Sequence, residues 1–186
     1  MCGIVGYIGK ENNPLIGLEA LRRLEYRGYD SDGAAIYQPL KKEVLLIRAV
    51  GRVKNLEEKM PNNLIGSPFI FHTRWATHGL PKENNAHTHH DCQKNIFLAH
   101  NGIIENYQQL KNKLLKEGHC FSSETDTEVL AHLIEKFFKN NLEEAVINAL
   151  RLVRGTFGLA VIAKKDPQKI VLARNGSPLL IGIGKD

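Results

Sequence analysis

The sequence has few of the features that mark a secreted or membrane-embedded protein. Only three of its 186 residues are cysteines (Cys2, Cys92 and Cys120), an odd number without Cys-x-x-Cys spacing, which favours a reduced compartment over a disulfide framework. No apolar run approaches the roughly 18 residues of a membrane span. No basic leader precedes the apolar start, so a signal peptide is not predicted. We therefore expect a cytoplasmic protein that does not bind a membrane.

Charge of one sign is not concentrated anywhere in the sequence. There are 25 Lys and Arg residues against 20 Asp and Glu residues, a formal net charge of +5. The densest basic groups, Lys41-Lys42 and Lys164-Lys165, are too short for the basic stripe of a nucleic-acid-binding surface. The sequence also lacks repeats and low-complexity linkers. We therefore predict one domain over residues 1–186 and no nucleic-acid partner.

Short apolar runs bounded by Gly, Pro or Asn predict a largely β-structure. Asn175-Gly176 predicts a tight hairpin turn between the last two of these runs. The predicted strands cover residues 4–8, 34–37, 44–50, 68–72, 95–100, 157–163, 169–173 and 179–183.

Helical spacing of apolar residues predicts four helices. Two of them open with a pair typical of a capping box, Asn106 with Gln109 and Thr125 with Glu128. Because the strands lie towards both ends of the chain and two consecutive helices separate them, the elements do not alternate as in a doubly wound fold. We predict an α+β fold of antiparallel sheets covered by helices. The predicted helices cover residues 14–24, 106–117, 125–138 and 142–153.

The polar segment from Trp75 to Cys92 follows neither pattern, and an aperiodic stretch of this length is usually functional. It contains His87-Thr-His-His90, where two histidines two residues apart, with Asp91, have the chemistry of a zinc site. However, no Cys or His pair at a complementary spacing completes such a site. We therefore rank a solvated loop first, an inter-domain contact second and a metal site third.

Cys2 becomes the N-terminal residue when the initiator methionine is removed, as is usual before a small residue. Its thiol and its own α-amino group then have pKa values of about 8.5 and about 7.7–8.0, so proton transfer between them costs roughly 1 kcal/mol. One residue would thus carry both nucleophile and general base. From position alone, Cys2 is better interpreted as a small residue at the start of a strand. Glycines at positions 3, 6 and 9, which permit close backbone approach, add weight to the functional interpretation.

Four further motifs follow the N-terminal one in order: Glu25–Gly33, His72–Gly79, His100–Asn106 and Ser123–Glu128. Together they closely resemble the glutaminase domains of the glutamine–fructose-6-phosphate aminotransferases. These are class II glutamine amidotransferases of the N-terminal-nucleophile hydrolase superfamily. The resemblance covers essentially the whole sequence. It implies a four-layer αββα sandwich of two antiparallel sheets, and hydrolysis of L-glutamine to glutamate and ammonia through a Cys2 thioester, without a cofactor or metal.

The resemblance also implies how the substrate is held. The side-chain amide of Asn101 and the backbone N–H of Gly102 would form the oxyanion hole, where His100-Asn-Gly is predicted to end a strand and turn. The planar guanidinium of Arg74 would hold the α-carboxylate of glutamine. Asp126 would hold the α-ammonium group, although a carboxylate in the first turn of a predicted helix is otherwise explained by the helix dipole.

Further residues receive less direct roles from the resemblance. Trp75 belongs to a loop that covers glutamine and gates the passage of ammonia. His87 lies near the sugar-handling domain, and Arg27 lies close to the nucleophile. Thr77 and His78 line the glutamine pocket.

The sequence departs from the family in two respects. Asp32 stands where a small apolar residue is common; a carboxylate pointing towards the nucleophile would raise the thiol pKa, and we expect Asp32 to point outward. Nothing resembles the two sugar isomerase domains that bind fructose 6-phosphate. We therefore expect a piece of a longer protein, covalently linked to those domains and, as the resemblance implies, a homodimer.

Two alternatives stay open. One is the glutaminase domain of another class II amidotransferase, such as the phosphoribosylpyrophosphate enzyme, which shares the terminal cysteine and an Asn-Gly motif. The other is a non-enzymatic module that retains Met1 and binds a metal through its His loop.

Overall fold

Two four-stranded antiparallel sheets stack face to face in the computed structural model, which describes residues 2–75 and 79–184. The first sheet has the strands β1 (Gly3–Tyr7), β2 (Ser31–Gln38), β3 (Glu43–Val50) and β4 (Phe69–Arg74), in the order β1-β4-β2-β3. The second has β5 (His89–His90), β6 (Ile96–Ile104), β7 (Gly155–Ala163) and β8 (Asp166–Asn175), in the order β5-β6-β7-β8.

Helices cover the outer face of each sheet. On the first sheet lie α1 (Leu15–Leu24) and α2 (Val53–Lys59), and on the second lie α3 (Tyr107–Lys116), α4 (Glu128–Phe137) and α5 (Leu142–Leu150). Within the described ranges, no helix is both long and apolar enough to cross a membrane.

Strand alternation divides the apolar residues between three cores. In β2, Ala34 and Ile36 face α1 and α2, whereas Ala35 faces the second sheet. Phe97 of β6 and Ile162 of β7 meet Ala35 in the layer between the sheets. The predicted α+β sandwich of two antiparallel sheets flanked by helices is therefore confirmed.

The C-terminal segment differs from the prediction: there is neither a hairpin at Asn175-Gly176 nor a strand over 179–183. Gly176, with a φ of 78°, forms a parallel bridge with Phe157, and the hydroxyl of Ser177 donates to the carbonyl of Asn101 at 3.4 Å. The chain therefore crosses the end of β7 towards β6 instead of reversing along β8. Leu180 beyond it is 94% exposed, because no strand pairs with this segment.

Both predicted capping boxes are wrong, because other groups engage the Asn106 side chain and because the helix after Thr125 begins later than predicted. The Asn106 side chain accepts a hydrogen bond from the Arg154 N–H at 2.9 Å and donates to the carbonyl of Leu152. Thr125 lies before α4, which begins at Glu128. Helix α2 was not predicted because it is short and exposes most of its residues.

Candidate active site

Cys2 lies just before β1, beside the end of β4, because the register of these strands pairs Gly3 with Thr73. The N–H of Trp75 donates to Sγ of Cys2 at 3.2 Å. The carbonyl oxygen of Cys2 accepts hydrogen bonds from Nε of Arg27 at 3.0 Å and from Nδ2 of Asn101 at 3.2 Å. The strand pairing thus brings the Glu25–Gly33, His72–Gly79 and His100–Asn106 motifs to the half-buried thiol.

The environment of the thiol acts in two directions. Burial raises the pKa of Cys2, and this is the largest effect. The Trp75 N–H and the positive charges of Arg74 and Arg27 oppose the effect of burial and lower the pKa of the thiol. Because burial prevails, the resting thiol is protonated at neutral pH and requires a base before it can act as a nucleophile.

The amide of Asn101 is held by a second side chain. His72 of β4 approaches Oδ1 of Asn101 with its Nε2 at 3.0 Å. Since Oδ1 only accepts, Nε2 of His72 carries the proton, and the amide is oriented with Nδ2 towards Cys2. Burial lowers the pKa of His72 to about 3, so the imidazole is neutral at physiological pH. Sequence analysis did not give His72 a role. The feature that could have indicated one is its position: a polar residue at an inward-facing position of an otherwise apolar strand.

The predicted turn at His100-Asn-Gly is wrong, because β6 continues through these residues to Ile104. Gly102 pairs with Phe157 and has a φ of 140°, and a Cβ there would lie 2.0 Å from the carbonyl oxygen of Thr156. Only glycine fits this close approach of the two strands. The Asn101-Gly102 pair is therefore presented from a strand and not from a turn.

The histidine-rich segment is buried, which contradicts the predicted solvated loop. His87 and His89 are buried; the His87 ring is 4.1 Å from the His72 ring, centroid to centroid, and Nε2 of His89 is 3.0 Å from the Thr125 hydroxyl. Two features hold the segment inside: β5 pairs with β6, and at Gly33 a Cβ would be 1.7 Å from the carbonyl oxygen of His87. Burial lowers the pKa of His87 and His89, so both are neutral. They form a hydrogen-bonding framework and not a positively charged patch.

Two oppositely charged side chains border the same cleft as Cys2. Arg74, the last residue of β4, is 3% exposed and donates from one guanidinium nitrogen to the carbonyl of Gly79 at 3.2 Å. Asp126 is 5% exposed, and its Oδ2 accepts the N–H of Ile104 at 2.8 Å. Asp126 lies two residues before α4 and not in its first turn as predicted. The cleft, about 1470 Å³, thus offers one fixed cation and one fixed anion beside a nucleophile.

The other predicted site residues lie at the edge of this arrangement. Arg27 and His87 line the cleft. The half-exposed ring of Trp75 lies at the rim, edge-on to Tyr29 with 5.8 Å between centroids. Thr77 and His78 fall outside the described residues.

Asp32 does not point outward as predicted; it is fully buried. It lies on the face of β2 that carries Ala34 and Ile36, beneath the helices. Neither carboxylate oxygen has a hydrogen-bond partner among the described residues, since the Thr73 hydroxyl donates to the Gly28 carbonyl. Burial raises the pKa of Asp32 to about 7, and the nearby Glu25 carboxylate adds to the rise.

Replacing Asp32 with alanine should therefore stabilise the protein at pH 8. Because the folded pKa of about 7 lies above the unfolded value near 3.9, ionisation costs stability as the pH rises from about 4 to about 7, by about 4 kcal/mol at most. Thermal unfolding should show Asp32→Ala melting roughly 5 °C or more above the parent at pH 8, with no gain at pH 4. Glu43→Ala, at an exposed position of β3, is the control; an equal gain at both pH values would contradict this account.

Comparison with known proteins identifies a single family. The family model described as "Glutamine amidotransferase domain" matches residues 72–185. The glutamine–fructose-6-phosphate aminotransferase (isomerizing) of Chlorobaculum tepidum is 49% identical over 194 residues, which cover 99% of this chain and 31% of that protein. The protein of the same name from Pyrococcus horikoshii is 48% identical over 188 residues, covering 100% of this chain and 31% of the relative. The chain thus spans less than a third of the length of these relatives.

Solved structures show the same fold. The glutamine phosphoribosylpyrophosphate amidotransferase of B. subtilis, in complex with ADP and GMP, superposes with a TM-score of 0.75 at 26% identity, covering 88% of this chain and 35% of that one. A structure described as the allosteric regulatory enzyme of purine biosynthesis superposes with a TM-score of 0.78 at 25% identity, covering 94% of this chain and 37% of that one.

Proposed function

Because this chain belongs to the glutamine amidotransferase family, we propose that it hydrolyses L-glutamine to glutamate and ammonia with Cys2 as the nucleophile. The observation that carries the proposal is the convergence on Cys2 of a neutral amide donor, Asn101, and a cleft bordered by one buried cation and one buried anion. Glutamine is a zwitterion with an amide at its far end, so its three polar groups match these three features.

The reaction requires that Met1 has first been removed, which leaves the α-amino group of Cys2 free. The amine takes the thiol proton, and the thiolate attacks the side-chain carbonyl carbon of glutamine. The resulting oxyanion is stabilised by Nδ2–H of Asn101 and the N–H of Gly102. When the intermediate collapses, the ammonium group of Cys2 gives its proton to the –NH2 group, the C–N bond breaks and this group leaves as ammonia. Water then hydrolyses the Cys2 thioester and releases glutamate.

Substrate orientation comes from Arg74 and Asp126. The guanidinium of Arg74 is suited to a two-pronged bond with the α-carboxylate. Asp126 has one carboxylate oxygen bound to the Ile104 N–H, which fixes the side chain while it accepts from the α-ammonium group. Both side chains are almost completely buried, so the charges they carry are little screened by solvent.

Arg74→Lys should raise KM for glutamine by about tenfold to a hundredfold, because lysine keeps the charge but loses one of two charge-assisted hydrogen bonds. If the interaction is equally strong in the ground and transition states, kcat stays nearly unchanged. Steady-state kinetics of glutamate release measures both constants. Arg52→Lys, where an arginine precedes α2 outside the cleft, is the matched control. An unchanged KM in Arg74→Lys and also in Arg74→Ala would exclude Arg74 from the glutamine site.

In the longer protein we propose that the ammonia is passed to a sugar-phosphate acceptor held by linked isomerase domains. The support is the relatives, 48–49% identical, whose names specify fructose 6-phosphate. The phosphoribosylpyrophosphate amidotransferase shares the fold at 26% identity, which makes it the weaker guide to the acceptor.

The test of the proposal is glutamine hydrolysis by the purified chain, with the intact mass measured on the same sample. A sample that has lost Met1 should release glutamate and ammonia in equal amounts, and asparagine should not be hydrolysed at a comparable rate. Absence of glutamate release from a folded sample that has lost Met1 would refute the proposal.

A further inference from the structure

A second group of polar side chains converges outside the cleft, where α4 meets the turn after α3 and the turn that follows β5. His132 and Glu135 project from the same side of α4, since they are three residues apart. His119 follows α3, and Cys92 lies two residues after β5. None of the four lines the glutamine cleft.

The ligand atoms of these four residues surround one point. Sγ of Cys92 is 3.7 Å from Nδ1 of His119 and 3.5 Å from Nδ1 of His132. Oε2 of Glu135 is 2.9 Å and 3.4 Å from the same two nitrogens. All four atoms lie within 4.8 Å of one another. In tetrahedral zinc sites, bond lengths of about 2.0–2.3 Å place ligand atoms roughly 3.3–3.6 Å apart. The separations of 2.9–3.7 Å are close to this spacing, and the widest separation, within 4.8 Å, requires a small side-chain movement.

Both imidazole Nδ1 atoms point at the same carboxylate oxygen and the same sulfur. Nε2 of His132, a residue that is 1% exposed, has no hydrogen-bond partner among the described residues and lies 3.7 Å from Oε1 of Glu128. A histidine that binds metal through one nitrogen commonly directs the other at a carboxylate, so Glu128 fits the role of the outer partner.

We propose that Cys92, His119, His132 and Glu135 bind one Zn²⁺ ion. The thiolate and the carboxylate balance the two positive charges of the ion, and sulfur and imidazole ligands favour zinc over calcium or magnesium. The Cys120 N–H, 3.4 Å from Sγ of Cys92, stabilises the thiolate. Four protein ligands close the coordination shell, so this is a structural site and not a catalytic one.

The ion would join three segments that lie apart in the sequence: the turn after β5, the turn after α3, and α4. Helix α4 begins two residues after Asp126, so the site supports the element next to the segment that carries this carboxylate into the cleft. The predicted metal candidates, His87 to His90, contribute none of the ligands.

The test is the metal content of the purified chain, without an affinity tag, after loading with Zn²⁺ and gel filtration. We expect about one zinc per chain in the parent and in Cys120→Ser, and about a tenth of that or less in Cys92→Ala and His119→Ala. Cys120 is the matched control because it is a neighbouring exposed cysteine outside the ligand set. Cys92 and His119 are chosen over His132, since His132 is buried in the core and its replacement could prevent folding.

Cobalt substitution gives a second readout that does not depend on stability. Co²⁺ added to the metal-free parent should produce the strong visible bands of a tetrahedral site together with a thiolate-to-cobalt charge-transfer band. Both signals should survive in Cys120→Ser, and the charge-transfer band should disappear in Cys92→Ala. The proposal is overturned if the folded parent retains no zinc, if Co²⁺ gives only octahedral spectra, or if Cys92→Ala retains zinc as the parent does. Cys2→Ala should bind zinc normally, so this test is independent of the proposed glutaminase reaction.

Discussion

Cys2→Ser should lose glutaminase activity by a factor of at least about 10³ while folding normally, an effect of the size seen when a hydrolase loses its nucleophile. The hydroxyl occupies nearly the same space as the thiol, but it is far less acidic, so the α-amino group is too weak a base to deprotonate it. The Cys2 carbonyl oxygen, which Arg27 and Asn101 bind, is unchanged by the substitution, and a serine hydroxyl can accept the Trp75 N–H as the sulfur does. The substitution therefore leaves these contacts in place.

The measurement is glutamate release under saturating glutamine, with circular dichroism to show that the fold is retained. Cys120→Ser is the matched control and should keep full activity, because Cys120 is exposed and lies outside the cleft. A glutamine-like electrophile should label Cys2 alone in peptide mass mapping. Substantial activity in Cys2→Ala would rule out the proposed mechanism.

Asn101→Ala should reduce kcat by about 10²–10³, the usual cost of removing one oxyanion donor. The loss should fall on kcat and leave KM nearly unchanged, because an oxyanion donor acts on charge that develops only in the transition state. Asn106→Ala is the control: this asparagine follows the same strand, but its side chain binds the backbone at Leu152 and Arg154. That variant should lose thermal stability and keep kcat.

The same measurement tests how the amide is oriented. Because His72 donates to Oδ1 of Asn101, His72→Leu should also lower kcat in the parent. In the Asn101→Ala background it should lower kcat little further, since the group that His72 positions is already gone. Additive losses in the double variant would show that His72 acts in some other way.

Much of this protein was accessible from its sequence. The layered α+β class followed from the arrangement of strands and helices along the chain, because period-2 and period-3.6 patterns reflect burial of one face of each element. The membership of the glutamine amidotransferase family followed from motifs of six to nine residues. Such motifs are local, so they and their order along the chain can be recognised without knowing how the elements pack. Cys2 was a candidate because only this cysteine can acquire a free amine, and the neighbouring glycines and the family resemblance gave weight to a catalytic role.

Other features depended on contacts between residues far apart in the sequence, and local patterns do not encode these. The burial of Asp32 was decided by the strand alternation that places it with Ala34 and Ile36, and by helices that cover this face. The burial of the His87 segment was decided by the missing side chain at Gly33, which belongs to another sheet.

The sequence by itself thus determined the family and the layered architecture and predicted the nucleophile, because each rests on covalent identity, on short motifs or on short-range periodicity. Only the tertiary structure decided that His72 orients Asn101, and that Cys92 and His119 meet the side chains of His132 and Glu135 on α4. The reason is physical: a hydrogen bond or a metal site requires atoms a few ångströms apart. That proximity is set by sheet register and by the packing of helices on sheets, which bring together residues separated by dozens of positions in the chain.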